Sequence, residues 1–258
     1  MNKSSVFSVL VVGDTPDELL SKYDINTEVK QYVKYKYLDS KKYQDRSIKA
    51  LEKILDEADK IGIDKAVKEK LRERLKILSK MSSFEYYKEL TDGMYYDSNG
   101  NALTTENPNG KWSTCHIGRN FSLPFKLKDG TESYKAKMKD IDWDFMCNGK
   151  KQIYEATWEL VMENRDPKDE QEERILSFMK DKQEYFKKFI SKEDYTSYNS
   201  MYWNYAYLDS EGWKDIDSDS IPKGNEKWWV NNFYDTFIKP LDENVMLSIY
   251  ECSISERE

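Results

Sequence analysis

The chain has 258 residues, and its 41 Lys and Arg stand against 48 Asp and Glu, a formal net charge of −7. That balance speaks against non-specific nucleic-acid binding, which needs clustered cations to displace the counterions of a phosphate backbone. A mean hydropathy of −0.88 beside 14% aromatic residues describes a very polar exterior around an aromatic core, because a disordered chain would be poor in aromatics.

Three cysteines, Cys115, Cys147 and Cys252, form no CxxC pair, so reduced thiols in a cytosol are expected. The longest apolar run, around residues 9–12, is too short to span a bilayer. Met1-Asn2-Lys3-Ser4-Ser5 lacks the apolar stretch and small-residue cleavage site of a secretory signal. A cytoplasmic protein without a membrane or nucleic-acid partner is expected.

Residues 5–12 read as a buried strand ending at Gly13-Asp14, followed by a helix with Thr15 at the N-cap and Pro16 at its first position. Between residues 41 and 80, Ile48, Leu51, Leu55 and Ala58 form one helical stripe. Ile63, Val67, Leu71, Leu75 and Leu78 form a second, with the break at Gly62. An antiparallel helical hairpin with charged, solvated outer faces is expected. From Met94 the period becomes that of strands, with Asn99-Gly100 as a hairpin turn. Residues 112–117 and 121–127 read as the next strand pair, ending at Asp129-Gly130. Residues 151–163 read as helix, and residues 164–174 as a charged connection and the acidic first turn of another. That second helix is expected to continue through Ile175, Met179, Phe186, Phe189 and Ile190. Residues 201–208 and 245–254 are the last strands, and residues 228–238 a helix halted by Pro240. These elements predict one α+β domain over residues 1–258, a mostly antiparallel sheet packed with helices, carrying a helical-hairpin insertion at residues 41–90.

Three blocks stand out: Val11-Val12-Gly13-Asp14 with Pro16 and Glu18-Leu19-Leu20; Asn107-Pro108-Asn109 with Lys111-Trp112; and Trp228-Trp229, Phe237-Ile238-Lys239-Pro240-Leu241, Leu247-Ser248-Ile249 and Cys252. In this order the chain resembles an uncharacterised family of bacteriophage and phage-derived bacterial proteins. The family's middle block reads Asn-Pro-x-x-Lys-Trp, then Gly-Arg, then Asp-Ile-Asp. Asn107, Pro108, Lys111, Trp112, Gly118, Arg119, Asp140, Ile141 and Asp142 match it, whereas Ser113 and Glu251-Cys252-Ser253 depart from the family's Asp and Asp-Cys-His. The resemblance implies a phage-type accessory protein and supplies no chemistry of its own.

Among candidate sites, Cys115 and His116 are neighbours on a strand and face opposite ways, so they cannot form a thiol–imidazole dyad with each other. His116 is the only histidine, which excludes the His-rich zinc motifs. Asp215, Asp217, Asp219 and Glu226 match the acidic positions of a calcium loop, but Ser220 replaces the turn glycine and Pro222 interrupts it. A polar turn capping the following helix is the simpler reading. The triplet Asp140, Asp142 and Asp144 reads as helix N-capping rather than metal binding. No glycine-rich phosphate loop, serine elbow or kinase signature occurs, and no cofactor is expected.

The tentative ligand-binding set is therefore Lys111, Trp112, Arg119, Asp140, Asp142 and Trp143. Arg119 could clamp a phosphate or carboxylate while Trp112 or Trp143 offers a stacking face. The simpler and favoured reading is a buried bridge to Asp140 or Asp142 that locks the sheet to a helix. The expected role is binding a host factor or small anionic molecule, counter-defence included. The alternatives are an enzyme on a nucleotide-like or other anionic substrate, with Arg119 and Lys111 holding the anion and Asp142 as base, and a virion or assembly component.

Overall fold

The computed structural model describes residues 5–58, 62–118, 122–217 and 226–254. The chain divides into two compact units, one formed by Met1–Ile25 with Asn109–Glu258 and the other by Asn26–Pro108. The first unit opens with β1 (Ser5–Val12) and α1 (Pro16–Ser21). The second then runs through β2 (Tyr32–Tyr35), α2 (Ser40–Glu57), α3 (Lys65–Lys80), α4 (Ser83–Leu90), β3 (Tyr95–Tyr96) and β4 (Ala102–Thr104). The chain returns to the first unit with β5 (Thr114–Ile117), β6 (Phe125–Lys126), β7 (Glu132–Ser133) and β8 (Lys135–Lys137). Helices α5 (Trp143–Asn148), α6 (Lys151–Met162), α7 (Glu170–Met179), α8 (Gln183–Phe186) and α9 (Lys192–Ser200) follow. Strands β9 (Ala206–Asp209) and β10 (Gly212–Asp215), helix α10 (Glu226–Phe233) with a wider π turn at Tyr234–Ile238, and β11 (Met246–Ile254) complete it. The fold is α+β.

The main sheet runs β10-β9-β1-β11, and the outer edge of β11 is shared by β5 and β8. β1 and β11 are antiparallel, with Val12 opposite Leu247 and Phe7 opposite Cys252, while β9 lies parallel to β1. The continuous apolar run of β1 follows from burial on both faces. Leu10 and Val12 join Leu247 and Ile249 on one face, and Val9 and Val11 join Tyr250 and Cys252 on the other. Val9, Leu10 and Val11 are fully buried, each worth about 1.5–3 kcal/mol of transfer free energy. Phe125, Trp229, Phe233 and Ile238 cover the first face. A third cluster gathers α6, α8 and α9 around Phe186 and Tyr195.

The second unit has its own three-stranded sheet, β2-β4-β3, with the expected hairpin at Asn99-Gly100, where Gly100 adopts a φ of +76° that favours glycine. The expected helix pair is α2 and α3. Buried Gln44 of α2 donates to the carbonyls of Leu78 and Met81 at 2.9 and 2.8 Å, closing the end of α3.

Several expectations need correction. Residues 112–117 and 121–127 do not pair: β5 lies against β11, and β6 forms its own hairpin with β7 through Asp129-Gly130. The helix expected through Ile190 stops at Met179, and α8 and α9 follow as separate pieces. The strand expected from residue 201 begins only at Ala206. Thr15 precedes α1, but its side chain makes no capping hydrogen bond. Cys115 and Cys252, directly opposite on β5 and β11 with Cα atoms 4.1 Å apart, form a disulfide, against the expectation of three reduced thiols. Sequence spacing could not show this, because 137 residues separate the two. Cys147 is free and buried, and burial raises its thiol pKa.

Candidate functional site, an aromatic cavity at the edge of the sheet

The described residues among those singled out from the sequence do not converge. Lys111 reaches Asp215 of β10, with Nζ 3.2 Å from Oδ2, and the same oxygen accepts from Trp213 Nε1 at 2.7 Å. Asp215 is buried, so these donors compensate a desolvated carboxylate and fix β10 to the segment before β5. Trp112 packs on that same sheet face, beside Phe7, Tyr23 and Trp213. Trp143 lies on the opposite face against Phe125, Tyr202 and Tyr234, with its Nε1 donating to the Met138 carbonyl at 3.0 Å. The sheet therefore separates the two tryptophans expected to share a ligand.

Asp142 is the N-cap of α5, its Oδ1 accepting from Phe145 N at 2.9 Å, as the capping reading predicts. Asp140 is exposed and Asp142 only half-buried, so neither offers the buried carboxylate that an interior bridge to Arg119 requires. Arg119 itself lies outside the described residues.

The acidic positions of the calcium-loop reading are also drawn apart. Asp215 is held by Lys111 and Trp213, Asp217 accepts from the Tyr205 hydroxyl at 2.6 Å, and Glu226 accepts from the Tyr198 hydroxyl at 2.7 Å. Asp219 lies outside the described residues, and among those described no three Asp, Glu, His or Cys side chains cluster as a metal site. His116 is exposed on β5 opposite Glu251, and Cys115 is in the disulfide.

The structure places a cavity elsewhere, in the first unit, with a volume of about 850 Å³. Phe145, Met146 and Lys150, from α5 and its connection to α6, form one wall with Tyr154 of α6. Tyr198, Asn199 and Ser200 of α9 continue into Tyr202, Trp203, Asn204 and Tyr205. Leu123, Pro124 and Lys126 close another side, and Val6, Phe7 and Ser8 of β1 reach it from the sheet. The 202–205 segment is held from behind. Fully buried Trp229 of α10 donates from Nε1 to the Asn204 carbonyl at 2.7 Å, and Asn204 Nδ2 donates to the Tyr202 hydroxyl at 2.8 Å.

The polar groups of the cavity differ in how they are satisfied. Tyr185 donates to Asn199 at 2.8 Å, Glu226 takes the Tyr198 hydroxyl, and Lys126 pairs with Glu132 at 3.7 Å. Ser122 Oγ is buried in the wall and has no hydrogen-bond partner among the described residues. The ammonium of Lys150 has no ion-pair or hydrogen-bond partner among the described residues. Burial raises the phenol pKa values of Tyr154, Tyr185, Tyr198, Tyr202 and Tyr205. At Tyr198 and Tyr205 the carboxylates of Glu226 and Asp217 raise them further. The rings therefore stay neutral hydrogen-bonding surfaces across the physiological range.

The signal for this site in the sequence is aromatic density: Tyr195, Tyr198, Tyr202, Trp203, Tyr205 and Tyr207 fall within thirteen residues. Nothing in that density distinguishes a cavity wall from a core. No family model, curated protein or solved structure matches the chain. Among the described residues no helix is long and apolar enough to cross a membrane.

Proposed function

We propose that the protein acts by binding, and that the cavity captures an aromatic, negatively charged group of its ligand. The observation that carries this reading is the Lys150 ammonium, unpaired among the described residues, on a wall with Phe145, Met146 and Tyr154. A concavity that sets placed polar groups among aromatic and apolar side chains is the usual form of a ligand site. A half-buried ammonium beside apolar side chains is screened less than one in bulk water and so attracts an anion more strongly. A ring on the ligand would stack or meet the tyrosines edge-on. The reading agrees with a phage-type accessory protein that binds a host factor or a small anionic molecule.

Of the parts named for the enzyme alternative, Lys111 is engaged by Asp215 and Asp142 caps the first turn of α5, while Arg119 lies outside the described residues. The cytosolic placement argued from reduced thiols loses support from Cys115 and Cys252.

Titration with phenyl phosphate and with indole-3-acetate, followed by tryptophan fluorescence and by NMR shifts of the cavity residues, tests the reading. Saturable binding that Lys150→Ala weakens about tenfold, the scale of one charge-assisted contact, is expected. Binding that ignores Lys150→Ala, or shifts mapping to Lys111 and Trp112, would overturn it.

A further inference from the structure

Three consecutive residues of β1, Val6, Phe7 and Ser8, line the cavity. Side chains alternate between the faces of a strand, so a cavity touching all three must reach the strand's edge. The ladder identifies what that edge presents. Gly13 N donates to Met246 O, and the register continues as Val11 with Ser248, Val9 with Tyr250 and Phe7 with Cys252. Odd-numbered residues thus exchange hydrogen bonds with β11, and even-numbered ones turn their N–H and C=O groups to the other side.

On that side β9 pairs only with Val9, Leu10 and Val11, beginning at Ala206. The amides of Val6 and Ser8 meet no backbone acceptor there among the described residues, and Val6 is 41% exposed. An unpaired strand edge is a template for another strand, and most folds cover or charge it. Here, beside the segment into β9 whose Tyr205 N donates to Ser8 Oγ at 3.4 Å, it borders a cavity that holds the Lys150 ammonium, which has no partner among the described residues.

We infer that the ligand of the cavity is an extended peptide segment of a partner protein, with an aromatic residue close to an acidic one, which adds as a strand along Val6 and Ser8 in line with β9. This inference rests on the cavity reading above and narrows it to one class of partner. Main-chain hydrogen bonds to the edge supply sequence-independent affinity, and the cavity and Lys150 supply selection. The positive charge of Lys150 specifies the acidic residue.

The test is selection of binders from a random octapeptide library on the full-length protein, followed by N-methylation of each amide of the best peptide in turn. A strand turns only every second amide towards its neighbour. The expected result is therefore an alternating pattern, with affinity falling tenfold or more at every other position and little in between. Val6→Pro deletes an edge donor without touching the β1–β11 bonds, and Pro is tolerated on strand edges. It should cut affinity at least tenfold while the far-UV circular dichroism stays unchanged. Should that variant misfold, the N-methyl scan on the wild-type protein still decides the matter.

A flat N-methyl profile would overturn the strand proposal even if phenyl phosphate binds in the cavity. So would the absence of any octapeptide binder alongside saturable binding of that small anion. Loss of both peptide and small-anion binding on Lys150→Ala, with the alternation intact in the wild type, supports it. A concentration-dependent dimer that Val6→Pro dissolves would assign the edge to a second copy of the chain and overturn the peptide reading.

Discussion

Trp229 is the residue through which the core of the first unit reaches the cavity, and its substitution gives the sharpest check on the structure. Its ring is fully buried against Phe233 and Phe237, and its Nε1 is the donor that holds the Asn204 carbonyl at 2.7 Å. Trp229→Phe keeps most of the ring and leaves that carbonyl without its donor, a cost of about 1–3 kcal/mol. Trp229→Ala removes the ring as well and should cost about 3–5 kcal/mol, the range for emptying an aromatic site in a packed core. For a domain the size of the first unit, each kcal/mol moves the midpoint by about 2–4 °C. The Phe variant should then melt roughly 2–12 °C lower and the Ala variant roughly 6–20 °C lower. Thermal unfolding followed by near-UV circular dichroism measures both. Ile190→Ala, at a side chain 92% exposed, serves as the control that should not move. Because Asn204 lies in the cavity wall, the Phe variant should also weaken phenyl phosphate binding. A Phe variant that melts with the wild type and binds as well would refute the claim that this hydrogen bond positions the wall.

Gln44→Leu withdraws both donors from the Leu78 and Met81 carbonyls and should destabilise the second unit by about 1–3 kcal/mol; an unchanged melt would show those carbonyls to be satisfied otherwise. Asp142→Ala should cost about 0.5–2 kcal/mol, the value of an N-cap, as read by chemical denaturation. A loss beyond about 3 kcal/mol would restore a buried ion pair at that position. Hydrogen bonds from the Arg165 guanidinium, and then from the Lys168 amide, hold the Glu172 carboxyl down at about 2, against an ordinary value of 4.5. Its contribution is complete above pH 4.5 and is lost as pH falls towards 2, so acid should lower the wild-type midpoint more steeply than that of Arg165→Gln. Parallel slopes in melts between pH 6 and pH 3, a range chosen to bracket the ordinary carboxyl value, would contradict the pairing.

By itself the sequence determined the elements whose physics is local. The apolar run of β1, Pro16 at the start of α1, the stripes of α2 and α3, the Asn99-Gly100 turn and the Asp142 cap each rest on periodicity or on one residue's backbone preference, and each stands in the structure. The capping box Ser82…Glu85 that opens α4 is a signal of the same kind. Helix α9 is different. Its run of Tyr, Ser, Thr and Asn has weak helix propensity and no clean stripe, and it is held by Tyr195 packing among Trp158, Phe186 and Phe189. Partner choice was likewise tertiary. Nothing in residues 112–117 says that they pair with the final strand, brings Cys115 to Cys252, or sends Lys111 to Asp215 across 104 positions. The motif that looked like one site in the sequence was divided because a sheet has two faces, and Trp112 and Trp143 lie on different ones. The cavity arose from the reverse effect: β1, α5, α6, α9 and the 201–205 segment contribute unremarkable residues that only long-range packing brings together.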